Sequence, residues 1–310
     1  MSGVLVTGGS GFVGLPTLAA LVARGEEVHA LSTRASPPAV EGVQWHRADL
    51  GNELAAERLL SDLSPERLVH LAWYVEHGRF WDAPENVVWV ERSLRLLRAF
   101  AAAGGRRAVL LGTCAEYDWS AVDGPLSERG SAIAPATLYG VAKDALRRLA
   151  CAYAEREGFD VAWARLFFLY GPREPAGRLM PAVISSLLAG EQVRTTAGTQ
   201  QRDFLHVDDV GRGLVALLGS DVTGPVNLAS GTPVAVAEIV ARIAREIGRP
   251  ELVLRGALPD RPNEPPLLVG DVARLREEVG FTPEIALADG IRDSVEWWRE
   301  ADAEGSAPGR

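Results

Sequence analysis

The sequence predicts an α/β protein, a doubly wound parallel sheet followed by a smaller, mixed region. Three observations carry that prediction. From Val4 to Phe167, short apolar runs alternate with segments whose apolar residues recur at helical spacing, as in a parallel sheet covered by helices on both faces. The first run, Val4-Leu5-Val6, passes through the glycine turn Thr7-Gly8-Gly9-Ser10-Gly11-Phe12-Val13-Gly14 directly into a helical segment. After about Phe168 the alternation lapses and proline and glycine become frequent, as at Gly171-Pro172, Pro175, Gly177 and Pro181.

Val4-Leu5-Val6 reads as a buried strand and residues 15–23 as its crossover helix, closed by Gly25. Residues 27–31 and 43–46 are the next two strands, the latter leading into Asp49-Leu50. A helix over 54–63 precedes a fourth strand over 67–72, and 87–103 is a helix ended by Gly104-Gly105. Residues 108–112 form a fifth strand, 137–157 a long helix and 161–167 a sixth strand. This assigns residues 1–167, with a return over about 204–232, to a nucleotide-binding domain. Residues 168–203 and 233–300 make an interleaved substrate-binding region, and 301–310 a flexible tail.

Composition narrows the function. The chain is 47% hydrophobic and 24% charged, which suits a globular protein with a substantial core. A formal charge of −9 and a pI near 5.2 argue against nonspecific nucleic-acid binding, which needs basic surface to displace counterions. Cys114 and Cys151 are too few for a disulfide framework or a multi-cysteine zinc site. The chain opens almost at once on a strand, without signal-peptide regions, and no apolar run approaches the roughly 20 residues that span a bilayer. A cytoplasmic protein is expected, with no nucleic-acid or membrane partner.

A strand, a glycine turn and a helix N-terminus form a site for a pyrophosphate. Unpaired backbone N–H groups and a partial positive charge face the ligand, and glycine lets it approach the backbone. The turn therefore predicts a Rossmann-type domain with Gly8, Ser10, Gly11, Phe12, Val13 and Gly14 against a dinucleotide. The second strand ends in Ser32, Thr33 and Arg34, with no carboxylate before Glu41. A carboxylate there binds the ribose 2′-hydroxyl, whereas hydroxyls and a guanidinium suit a 2′-phosphate. NADP(H) is the expected cofactor, with NAD(H) possible.

Tyr139 and Lys143 lie four apart on the long helix and face the same way. A neighbouring ammonium favours the phenolate and brings a tyrosine of pKa ~10 nearer to acid–base use. Thr113 ends the fifth strand, on the edge where ligands bind in such sheets. Its hydroxyl is placed to hydrogen-bond a substrate carbonyl.

The glycine turn, Thr113 with Tyr139-Gly140-Val141-Ala142-Lys143, and Arg202-Asp203-Phe204-Leu205-His206-Val207-Asp208-Asp209 together resemble the extended short-chain dehydrogenase/reductase family, in particular its nucleotide-sugar epimerases, dehydratases and reductases. The resemblance runs from about Val4 to Trp298. It implies that Thr113, Tyr139 and Lys143 are catalytic, Tyr139 and Lys143 also meeting the cofactor. By the same resemblance Asp49 and Leu50 lie against the adenine, Leu71, Ala72 and Trp73 flank the cofactor, and Arg202 and Arg261 hold the diphosphate of a sugar nucleotide. Segment 206–209 is then structural, with no metal site. Relatives pair as homodimers through the helices over 87–103 and 139–157.

Departures narrow the reaction. The acidic pair that follows the hydroxyl residue in 4,6-dehydratases is replaced by Cys114 and Ala115, and dehydration needs such groups. Epimerase-reductases of the fucose-synthase type carry a cysteine and a histidine where this chain has Ala115 and, approximately, Arg178. Cys114 borders the substrate but reads as a small core residue rather than an acid. Phe168 replaces an asparagine near the substrate phosphates, and Trp89 another in the helix over 87–103. Trp73, Tyr74, Glu76, His77 and Trp81 crowd the loop after the fourth strand and are expected to wall the sugar pocket. The expected activity is NADPH-dependent reduction of a nucleotide-linked 4-keto-6-deoxy sugar. The alternatives are a 4-epimerase with tightly bound NAD and a noncatalytic NADP(H)-sensing protein.

Overall fold

A computed structural model describes residues 3–120, 122–262 and 264–304, with only the backbone of Glu53. Strands β1 (Val4–Thr7), β2 (Val28–Ser32), β3 (Val43–Arg47), β4 (Arg67–His70), β5 (Arg107–Thr113) and β6 (Asp160–Leu166) alternate with helices α1 (Gly14–Ala23), α2 (Glu53–Leu63), α3 (Glu85–Ala102) and α4 (Leu138–Glu157). The Rossmann-like architecture read from the sequence is present.

The remaining helices are α5 (Leu179–Leu188), α6 (Val207–Leu218), α7 (Val236–Ile247), α8 (Ala273–Glu277) and α9 (Leu287–Ala303). The later strands are β7 (Phe168–Tyr170), β8 (Val193–Arg194), β9 (Gln201–His206), β10 (Gly224–Leu228), β11 (Pro233–Ala235), β12 (Val253–Leu254) and β13 (Leu267–Leu268). The main sheet runs β3-β2-β1-β4-β5-β6-β10, all parallel. Strand order reverses between β1 and β4, which opens a crevice at the carboxyl ends. Residues with no polar atoms fill the strand centres: Val4, Leu5 and Val6 of β1 and Ala108, Val109 and Leu110 of β5 are fully buried.

The chain returns to this sheet at Val207, where α6 begins, rather than near Phe204. Phe204, Leu205 and His206 instead pair with β7, so β9 belongs wholly to the smaller mixed sheet with β7, β11 and β13. Asp203 on β9 ties the two layers together. Its carboxylate accepts the N–H groups of Ser230 (2.7 Å), Gly231 (2.9 Å) and Gly270 (3.1 Å). Behind the small sheet, Ile184, Leu187, Ile239, Ile243, Val295 and Trp298 form the core of α5, α7 and α9. The expected tail beginning at residue 301 is corrected: α9 continues to Ala303, because Trp298 and Ala301 remain buried. Residues 305–310 lie outside the described residues.

On the other side of the main sheet α3 packs against α4. Val87 and Val88 of α3 and Val141 and Leu149 of α4 are 41–59% exposed, so both helices carry apolar side chains facing outward. Among the described residues no helix is long and apolar enough to cross a membrane.

Candidate active site

The glycine turn sits at the mouth of the crevice. Gly8 takes a φ of +70°, and a Cβ on Gly14 would stand 2.3 Å from Gly8 O, so only glycine permits this closure. Val13, the N-cap of α1, supplies no side-chain cap, and the first turn holds no acidic residue. The helix therefore opens toward the crevice with its N–H groups uncapped by any side chain, which fits the pyrophosphate of a dinucleotide. Gly8 also lies against Ala72, whose N–H would be 2.7 Å from a Cβ at Gly8. Leu71 N donates to Thr7 O (3.2 Å) and Ala72 N to Thr7 Oγ1 (3.3 Å), fastening the end of β4 to β1.

A buried histidine completes that fastening. Ser93 Oγ donates to Trp89 O (2.6 Å), so it accepts from His70 Nε2 (2.8 Å), and His70 Nδ1 accepts from Thr7 Oγ1 (2.6 Å). Burial pushes the imidazole down to about 3, with Lys143 adding to the shift. The unfolded chain, with an ordinary histidine near ~6.5, thus binds more protons than the folded chain between those values. Stability falls as pH drops from about 6.5 toward 3, by about 1.4 kcal/mol per pH unit for this group. Denaturant titrations at several acidic pH values check this. Wild type loses its advantage over His70→Gln as pH falls, and parallel curves would contradict the assignment.

Of the residues expected around the adenosine, Thr33, Arg34 and Asp49 are exposed. Ser32 is buried, and its Oγ accepts Arg34 N at 3.1 Å. Asp49 accepts Gly51 N at 2.7 Å. Leu50 is buried in the core with Ala56, Leu60 and Leu96, which restricts any adenine contact from its side chain. Sequence reasoning missed Arg47. It is exposed at the end of β3 and in register with Ser32, a pairing that only the parallel ladder reveals.

Thr113 and Tyr139 are brought together by close backbone packing. Thr137 caps α4, its Oγ1 accepting Gly140 N at 3.2 Å. A Cβ at Gly140 would meet Ala115 O at 2.4 Å, so glycine lets α4 lie directly on the 3-10 turn over Cys114–Glu116. Tyr139 consequently lies beside Thr113. Burial pushes its phenol well above the usual tyrosine value, with Thr113 opposing only in part. Phe80 and Trp81 stand edge-on to the Tyr139 ring at 5.0 and 5.9 Å, and Trp119 continues the aromatic wall 6.2 Å from Trp81.

Lys143 Nζ donates to Leu111 O (2.9 Å) and lies 3.8 Å from the Trp73 ring centroid. Its own burial brings the amine down to about 7, against the opposing pull of Glu116.

Glu116 is the carboxylate beneath the site, and it is fully buried. It accepts Thr113 N (2.9 Å), Trp163 Nε1 (2.9 Å) and Arg165 Nε (2.8 Å). Thr113 returns the bond by accepting Ala115 N at 3.2 Å, a capping box whose three-residue spacing was a readable signal. Cys114 is buried in the core, where desolvation raises its thiol to about 12, so it is no acid at neutral pH.

The ring of His77 lies against Gly177, and burial together with Arg178 and Arg261 lowers it. Glu76 is exposed and engaged by its loop neighbours, Tyr74 Oη (2.7 Å) and Arg79 Nη1 (3.1 Å). Arg202 is engaged within the protein: its Nη1 donates to Gln201 O and Pro265 O (2.8 and 2.9 Å) and its Nη2 to Glu264 (2.9 Å), which anchors the proline loop. Its guanidinium lies 5.5 Å from the Phe168 ring, which in turn packs on Phe204. Asp209, in the 206–209 segment, accepts from Glu284 N, Ile285 N and Arg212, a structural role.

Comparison with known proteins follows the same lines. Residues 4–229 match the model described as the NAD dependent epimerase/dehydratase family. A dTDP-glucose 4,6-dehydratase of Streptomyces niveus is 33% identical over 172 residues, 55% of this chain and 51% of that protein, so the match spans about half the relative's length. A dTDP-4-dehydro-6-deoxy-D-allose reductase of a Streptomyces species is 28% identical over 318 residues, 96% of each chain. Among solved structures, MoeE5 in complex with UDP-glucuronic acid and NAD superposes with a TM-score of 0.84 at 31% identity, covering 97% of this chain and 100% of that one.

Proposed function

Since the chain belongs to the NAD-dependent epimerase/dehydratase family, we propose that it uses NADPH to reduce a nucleotide-linked 4-keto-6-deoxy sugar in the cytoplasm. The observation that carries the reading is the placement of Tyr139 beside Thr113 at the carboxyl edge of the sheet, where burial favours its protonated form. Reduction begins with an acid, whereas epimerisation begins by oxidising an alcohol and needs a base first. Elimination of water requires a further acid–base pair, and the carboxylate below the site, Glu116, is fully engaged by Thr113, Trp163 and Arg165.

When bound, NADPH supplies the hydride. Thr113 Oγ1 donates a hydrogen bond to the ketone oxygen and polarises it. Tyr139 Oη delivers its proton to the oxygen as negative charge develops there. The Lys143 ammonium, on the same helical face, compensates the charge left behind and holds the cofactor ribose. Arg178, His77 and Arg261 face the sugar nucleotide, and the Phe80–Trp81–Trp119 wall excludes water. A 28% identical reductase of a 4-dehydro-6-deoxy sugar nucleotide, matched along nearly its whole length, supports this substrate class.

Thr33, Arg34 and Arg47, exposed at the ends of β2 and β3, support a 2′-phosphate contact and so NADP(H). NAD in MoeE5 favours the runner-up, a 4-epimerase that retains NAD. Steady-state assays with both cofactors test the choice. Arg34→Ala raises KM for NADPH about tenfold and leaves that for NADH unchanged. Protein purified with stoichiometric NAD, and converting a sugar nucleotide without added cofactor, would contradict the reductase reading.

The exposed Val87, Val88, Val141 and Leu149 support a homodimer through α3 and α4. Light scattering is expected to give twice the chain mass for wild type and the chain mass for a Val141→Lys/Leu149→Lys variant. An unchanged mass in the variant would place the interface elsewhere.

A further inference from the structure

Lys143 is the only lysine in the 310 residues, in a chain with thirty-one arginines. It is 4% exposed, and among the described residues its ammonium has one hydrogen-bond acceptor, Leu111 O, for three N–H donors. The Trp73 ring centroid lies 3.8 Å from Nζ, well within cation–π range. That ring is itself fixed. Trp73 Nε1 donates to Asn86 Oδ1 at 2.9 Å, and fully buried Asn86 returns its amide N–H groups to Phe80 O (2.7 Å) and Ala83 O (2.9 Å).

Acidic charge reaches Lys143 from Glu116 on the 3-10 turn. The other titratable neighbours are His70 on β4, kept neutral by burial, and Tyr139 one turn earlier on α4, kept protonated by burial. Beyond Glu116 stand Arg165 of β6 at 2.8 Å and Arg147 of α4 at 3.8 Å. Desolvation alone favours the neutral amine, so an ammonium here needs compensation from its surroundings.

We propose that Trp73 and Glu116 are positioning residues for Lys143: the indole face holds its side chain against Leu111, and the buried carboxylate supplies opposite charge nearby that favours the ammonium over the neutral amine. Neither residue reaches the reacting atoms in this role. The inference rests on the role proposed for Lys143, but its test needs no turnover.

Because lysine occurs once, protein grown with 13C-lysine carries a single lysine Cε signal. A pH titration of the chain alone, without substrate or cofactor, reads this one ammonium. The midpoint in wild type is expected at about 7. Trp73→Leu lowers it by about one pH unit, and Trp73→Phe by less, because a benzene ring attracts a cation more weakly than an indole. Glu116→Gln lowers it as well, by removing the opposite charge. A midpoint unmoved or raised in Trp73→Leu, in protein with a native circular dichroism spectrum, overturns the proposal. The Trp73 variants decide it alone if Glu116→Gln does not fold. In turnover, Trp73→Leu moves the alkaline limb of the kcat profile to lower pH, where simple structural damage scales the profile without displacing it. Failure of the titration leaves the reductase reading standing, and failure of that reading leaves the titration interpretable.

Discussion

Tyr139→Phe lowers kcat by about three orders of magnitude while leaving the fold and cofactor affinity intact. The substitution removes one oxygen and keeps the ring that packs edge-on against Phe80 and Trp81. What is lost is the proton that the developing alkoxide takes up. Thr113 retains its place, because its position is set by Glu116 and the capping box rather than by the phenol. Single-turnover and steady-state rates, with thermal unfolding as the control, check this. Activity within tenfold of wild type would remove Tyr139 from the role of acid. The same experiment bears on a purely sensing protein, for which no turnover exists to lose.

Arg165→Met destabilises the protein by about 3–5 kcal/mol. Arg165 and Glu116 are essentially inaccessible, and the guanidinium bonds to the carboxylate at 2.8 Å and to Tyr117 Oη at 3.1 Å. Tyr117 Oη in turn donates to Asn227 Oδ1 at 2.8 Å, so the network runs from the catalytic turn to β10. Removing the cation leaves a buried carboxylate with only the Thr113 and Trp163 N–H groups and Arg147 at 3.8 Å. Replacing both partners, as in Glu116→Gln/Arg165→Met, recovers most of the loss, since two neutral groups carry no desolvation penalty of that size. Urea titrations of the three proteins check the order. A loss below about 1 kcal/mol in the single variant would show that water or another cation already balances Glu116.

What was legible in the sequence was local in the chain. The strand-turn-helix at Thr7–Gly14 needs only neighbouring residues to be read, and so does the four-residue spacing of Tyr139 and Lys143. The alternation of apolar runs marked six of the seven strands of the main sheet, the seventh, β10, coming after it lapses. Phe204 to His206 were placed one layer away from their position because apolar pattern does not say which sheet a strand joins. The ion pair of Arg202 was not legible because Glu264, its partner, lies 62 residues on in an irregular loop. Glu116 and Arg165 are 49 residues apart and meet only because the 3-10 turn after β5 lies against the neighbouring strand β6. The partners of Lys143 were missed for a similar reason. Helical spacing puts it beside Tyr139, but Leu111 and Trp73, which hold its head, come from two other elements.

The central claim is that hydride passes irreversibly from NADPH to C4 of a keto sugar nucleotide while Tyr139 supplies the proton. Incubation with NADPH carrying deuterium at nicotinamide C4 and a 4-keto-6-deoxy sugar nucleotide tests it most directly, with the product read by NMR. The account predicts one NADPH oxidised per product and deuterium at the sugar C4. NADPH left unconsumed with the 4-keto sugar, together with conversion of a 4-hydroxy sugar nucleotide into its C4 epimer without added cofactor, would contradict it.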